Sequence, residues 1–174
     1  MRLSSEIKTT GIIKFFRIFA SVYSIIISSV GILYYSNILL FDLHTINYSE
    51  LLLFYILICM LLLLLVSNIG LLIKRTFLVF SMKYSILIYA LQVFHFKLFE
   101  LNYDFSIGLK TALYFIINDG FFVEFNLSTF EIDFKIIYPA YHNGIFIGIN
   151  FIPIIIIGMY LFLYKNNVFI KEVT

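Results

Sequence analysis

Between Leu51 and Ile73 the chain is a nearly unbroken run of Leu, Ile, Val, Phe and Met, without charge, relieved mainly by Tyr55, Ser67 and Asn68. As a helix rising 1.5 Å per residue, this segment is roughly 30–35 Å long, the thickness of a bilayer's hydrocarbon core. A core helix of a water-soluble protein needs a polar face, and this segment has none. It reads as a membrane span, and the remaining segments are placed by the side of the membrane on which each falls.

Composition agrees. Of 174 residues, 62% are hydrophobic and 13% charged, against roughly 25% charged in soluble domains. The formal net charge of +2 is scattered rather than striped, which argues against nucleic acid as a partner. Cys59 is the single cysteine, so the chain forms no internal disulfide and holds no cysteine metal site of its own. It has no glycine-rich phosphate loop, H-E-x-x-H or G-x-S-x-G motif, and the histidines His44, His95 and His142 lack metal-ligand spacing. No cofactor or metal is expected, and catalysis is not.

Four apolar segments, at about residues 18–41, 51–73, 76–96 and 144–164, predict an all-α, four-helix membrane bundle forming a single domain over 1–174. Orientation follows from the cations. Arg2, Lys8, Lys14 and Arg17 precede the first span, Lys74-Arg75 joins the second to the third, and Lys165 and Lys171 follow the fourth. The 97–143 insertion sets Lys97, Lys110 and Lys135 against Glu100, Asp104, Asp119, Glu124, Glu131 and Asp133, a net of −3 from three cations and six carboxylates. The positive-inside rule then puts both termini in the cytoplasm and the insertion outside, with a bacterial inner membrane as the expected location.

Inside the insertion, Leu101, Phe105, Leu109, Leu113 and Ile116 follow helical spacing, which predicts a short interfacial helix over Asp104–Ile117. Beyond it, Phe121, Val123, Phe125 and Leu127 alternate with polar neighbours, and so do Phe130, Ile132, Phe134 and Ile136. Two period-two runs about Ser128-Thr129 predict a β-hairpin, Leu127 opposite Phe130, with all eight apolar side chains on one face. That face requires a cover, which the membrane surface, the chain's own helices or another protein would supply. The opposite face pairs Glu124 with Asp133, which asks for a neutralising cation or a partner's Lys or Arg.

Two further groups stand out. Ala20, Ser24 and Ser28 recur every four residues, and Gly144, Gly148 and Asn150 open the fourth segment; small residues at this spacing let helices pack closely in lipid. Folding about Lys74-Arg75 brings Asn68 to the depth of Ser81 and Lys83, so these three are expected to form an intramembrane polar cluster around the Lys83 ammonium. The partners expected are the bilayer and other membrane proteins or a second copy. The function expected is that of a non-catalytic subunit or accessory factor in a larger membrane complex. A small oligomeric transporter or channel is the alternative, and a membrane enzyme ranks third.

Overall fold

The computed structural model describes residues 2–41, 46–73, 78–98, 101–118, 120–137 and 144–171; the side chains of residues 2–10, Ser49, Asn118, 133–137 and 167–171 fall outside the description. The elements in order are α1 (Arg2–Phe41), α2 (Tyr48–Leu72), α3 (Leu78–Leu91), β1 (Phe94–Leu98), β2 (Leu101–Asn118), β3 (Gly120–Ile137), β4 (Ile145–Asn150) and α4 (Phe151–Lys171). They form two compact units, one of residues 1–86 and 159–174, the other of residues 87–158.

The all-α four-span bundle is overturned. Among the described residues, two helical segments are long and apolar enough to cross a membrane, Gly11–Phe41 and Glu50–Leu72, of 31 and 23 residues. The third and fourth segments are mixed. Helix α3 has 14 residues, roughly 21 Å, too short for the hydrocarbon core. It ends where the Gln92 and Val93 N–H groups turn back onto the carbonyls of Tyr89 (3.0 Å) and Ala90 (3.3 Å). Phe94-His-Phe-Lys-Leu98 then alternates as β1. The fourth segment opens with a strand, so Gly144 just precedes β4, while Gly148 and Asn150 lie on it, none of them on a helix. Helix α4 begins at Phe151, with the Asn150 Oδ1 accepting the Ile152 N–H (3.3 Å) as its cap. Pro153 therefore sits in the first turn, where its missing N–H leaves no helical bond unmade, and it introduces no mid-helix kink.

In the first unit, α1 packs along α2. Ala20, Ser24 and Ser28 are all fully buried on α1, as is Ser21. The Ser28 hydroxyl donates back to the carbonyl of Ser24 (2.6 Å), so its polarity is spent within its own helix. At the head of α2 the Asn47 N–H donates to the Glu50 carboxylate (3.2 Å), satisfying a donor that the helix leaves open.

The second unit holds an antiparallel sheet in the order β1-β4-β2-β3, with β1 also paired to β2. Strands β1, β4 and β2 thus close a ring of pairings, and β3 follows β2 along its length. The interfacial helix expected over Asp104–Ile117 is instead part of β2. Spacings of four satisfy a strand as well as a helix, and Tyr103, Ile107, Phe115 and Ile117 complete the two-residue period.

The hairpin expected about Ser128-Thr129 is corrected too. Both alternating runs lie in the single strand β3, whose hairpin partner is β2. Pairing passes from Gly108↔Glu131 to Lys110↔Ser128, a bulge in which three steps along β3 answer two along β2. Gly108 takes φ 106° there, a conformation that side chains on other L-residues resist. The odd step keeps Leu127 and Phe130 on one face although they are three residues apart. Glu124 then stands opposite Tyr114, and Asp133 opposite Ser106, so the expected Glu124–Asp133 pair does not form.

Cross-strand partners share a face, and the register sorts the sheet into two. One face takes Phe94, Phe96, Leu98, Phe105, Ile107, Leu113, Phe115, Ile117, Phe121, Val123, Phe125, Leu127, Ile145, Ile147 and Ile149. The other takes His95, Asp104, Ser106, Lys110, Tyr114, Glu124, Asn126, Glu131, Gly148 and Asn150. The Tyr114 ring lies over Gly148, where a Cβ would overlap it. Gly148→Ala should lower unfolding stability in detergent by about 1–3 kcal/mol. The double variant Gly148→Ala/Tyr114→Ala should recover part of that loss relative to additivity, which a double-mutant cycle measures.

Candidate functional site

Two polar assemblies are built by these elements. The first lies in the helical unit. The Tyr160 hydroxyl donates to the Asn68 Oδ1 (2.6 Å) and sits 2.7 Å from the Ser24 hydroxyl and 3.1 Å from the Ala20 carbonyl. The Asn68 amide donates to the Ser85 hydroxyl (3.0 Å) and to the carbonyl of Leu64 (2.9 Å). Helices α1, α2, α3 and α4 each supply one side chain to this knot, and Ser24, Asn68, Ser85 and Tyr160 are fully buried. Every group in it is neutral and hydrogen-bonded, which is what an apolar surrounding demands of polar groups.

The cluster expected from the sequence is thereby corrected. Asn68 pairs with Ser85 and Tyr160, Ser81 is buried, and Lys83 is exposed with its ammonium 5.7 Å from the centre of the Tyr164 ring. An ammonium is too costly to desolvate beside two neutral partners, whereas a Tyr hydroxyl is not. Tyr160 was hidden in the sequence because an aromatic in an apolar helix carries no periodic signal of its polar end.

The second assembly lies on the polar face of the sheet. Lys110, 2% exposed on β2, places its ammonium 3.0 Å from Glu131 on β3 and 3.8 Å from Asp104. The other side of Asp104 meets His95 of β1, with Nδ1 2.5 Å from Oδ1. A carboxylate only accepts, so the proton of this bond rides on Nδ1. Lys110 also lies 5.6 Å from the centre of the Tyr114 ring, which meets Phe146 edge-on at 6.0 Å. These residues other than His95, with Ile116, Glu124 and Asn126, line a pocket of about 350 Å³.

Burial opposes the Lys110 charge, but the bonds to Tyr114 and Glu131 and the charge of Asp104 outweigh it and leave its pKa above the ordinary lysine value. Burial raises Tyr114, against the pull of Lys110, and pushes Tyr103 up to about 12 with help from the Asp104 charge.

The lining sets three carboxylates, Asp104, Glu124 and Glu131, against one ammonium. Such a pocket attracts a cationic group and offers it two aromatic rings besides. No set of three His, Cys, Asp or Glu side chains arranged to hold a metal occurs among the described residues. His95 with Asp104 has the form of an oriented imidazole base, but the ring is fully buried and its Nε2 has no partner among the described residues. A base needs hydrogen-bond reach to its substrate, and a sealed nitrogen lacks it.

Sequence reasoning took His95 and Lys110 one at a time. The signal that unites them with Asp104 and Tyr114 is strand periodicity, which puts Asp104, Lys110 and Tyr114 at even positions of β2.

Lys110→Met should cost about 1–3 kcal/mol in unfolding stability, below the full cost of breaking a buried pair because Asp104 and Glu131 keep 18% and 29% of their side-chain exposure. Because Lys110, Tyr103 and Tyr114 hold protons more tightly when folded, their contribution is complete below about pH 10 and is lost as pH rises through their folded values. Unfolding midpoints should fall between about pH 10 and about pH 12, and fall less in Lys110→Met. Tyr160→Phe should cost about 0.5–1.5 kcal/mol by the same measurement. No protein-family model matches this chain, and no curated protein or solved structure matches it significantly.

Proposed function

We propose that this is a non-catalytic integral membrane protein, an accessory factor or subunit that binds another membrane protein through a basic group received in the Asp104–Lys110–Glu131 pocket. The pocket carries the reading. Its one ammonium is already held by Glu131 and Asp104, and Glu124 adds a further carboxylate at the exposed rim. A Lys or Arg side chain seated there would gain a charge-assisted bond and stack against Tyr114 or Phe146. The sealed His95 ring supports binding over catalysis.

The anchor is helical. Gly11–Phe41 and Glu50–Leu72 are the spanning segments, and basic residues flank them at the N-terminal end and at Lys74-Arg75. The positive-inside rule then assigns those ends to the cytoplasm of a bacterial inner membrane, and the even number of spans returns the chain to that side.

A photo-crosslinking amino acid at Asn126, which lines the pocket, tests the reading in native membranes. A discrete adduct to a second membrane protein is expected, attached beside a Lys or Arg and lost on Glu124→Lys. No adduct, or one indifferent to that charge reversal, would overturn it.

A further inference from the structure

Over much of the sheet the sidedness is the reverse of what water selects, although Phe105 and Ile107 on the apolar face are buried and Phe122 on the other face is exposed. His95, Lys110, Ser106 and Asn150 are at most 2% exposed, whereas Phe121 is 66% and Leu127 70% exposed. Phe94, Val123, Phe125 and Ile147, on the same apolar face, are exposed as well. Polar side chains turned inward and apolar ones outward are the arrangement of a sheet in contact with lipid. A patch of this kind rimmed by water is otherwise a liability on a soluble surface.

We propose that this apolar face rests in the boundary between headgroups and acyl chains of the bilayer that the helices anchor. Two observations select lipid over a second copy or another protein. None of the residues that the register puts on this face is charged, so no charge complementarity would orient a protein partner on it. The exposed side chains are rich in Phe, whose rings suit the boundary layer.

The depth is limited by backbone chemistry. Strand β3 ends the sheet with one edge outside the described pairing, and hydrocarbon cannot satisfy an unpaired row of N–H and C=O groups. The face therefore lies flat and shallow, about 5–10 Å into the boundary, and does not cross. The pocket of the opposite face stays directed away from the lipid.

The chain has no Trp, so a single introduced indole reports its own surroundings. Full-length Phe121→Trp, Phe125→Trp and Asn126→Trp variants are reconstituted into phosphatidylcholine and phosphatidylglycerol vesicles, with and without brominated acyl chains, and folding is checked by circular dichroism. The Phe121→Trp and Phe125→Trp variants should emit to the blue and lose much of their emission to bromine placed near the headgroup end of the chain. The Asn126→Trp variant, whose indole stands on the pocket side, should be spared by bromine and quenched by aqueous acrylamide. Acrylamide quenching in all three variants without bromine quenching would overturn the proposal. So would blue-shifted emission indifferent to both quenchers, the sign of a protein cover.

Discussion

The two-residue period of a strand, held across a bulge, is the constraint on which the second unit depends. A strand that loses step by one residue exchanges its faces. Strand β3 changes step between Leu127 and Phe130, and the sequence changes its apolar parity at the same place, from odd to even positions. The bulge opposite Gly108 absorbs the difference. Without it, half of β3 would turn its apolar residues toward Lys110 and Asp104. With it, one face stays apolar and the other collects the His95, Asp104, Lys110 and Glu131 side chains into one array of hydrogen bonds and ion pairs.

The two units solve one problem by different means. Polar groups removed from water must find partners. In the helical unit the partners are neutral, and Tyr160, Asn68, Ser24 and Ser85 complete one another's hydrogen bonds across four helices. In the sheet unit they are charged, and Lys110 is held between two carboxylates. A neutral knot carries little desolvation cost and tolerates deep burial. An ion cluster is retained where part of it keeps contact with water, as Glu131 and Asp104 do. The placement of each kind of chemistry follows from the dielectric it can tolerate.

The two long helices were legible because length and unbroken apolarity leave a chain few alternatives. The boundaries of the other two apolar segments were not. Hydropathy over 76–96 and 144–164 is the same for a buried strand as for a helix, and only alternation separates them, as in Phe94-His-Phe-Lys-Leu98 and Ile145-Phe-Ile-Gly-Ile-Asn150. Residues four apart on β2 imitated a helix because four is a multiple of two. Ser128-Thr129 marked a real break, but a break in step and in a turn look alike in one dimension. Of the candidate residues, the small face of α1 and Asn68 lie in the helical core, whereas Lys83 lies outside it because a neighbouring surface was available to its charge. The eight apolar positions of β3 share a strand rather than a hairpin; the side chains of Phe134 and Ile136 lie outside the described residues.

Asn150 ends a strand and starts a helix with no residue between them. Its Oδ1 accepts the Thr111 N–H of β2 (3.2 Å) as well as the Ile152 N–H (3.3 Å), while its own N–H donates to the Val93 carbonyl (2.8 Å). Where most chains place a connector, this one joins strand to helix directly. The first turn of α4 and the middle of β2 therefore share one side chain as anchor, one residue from Lys110.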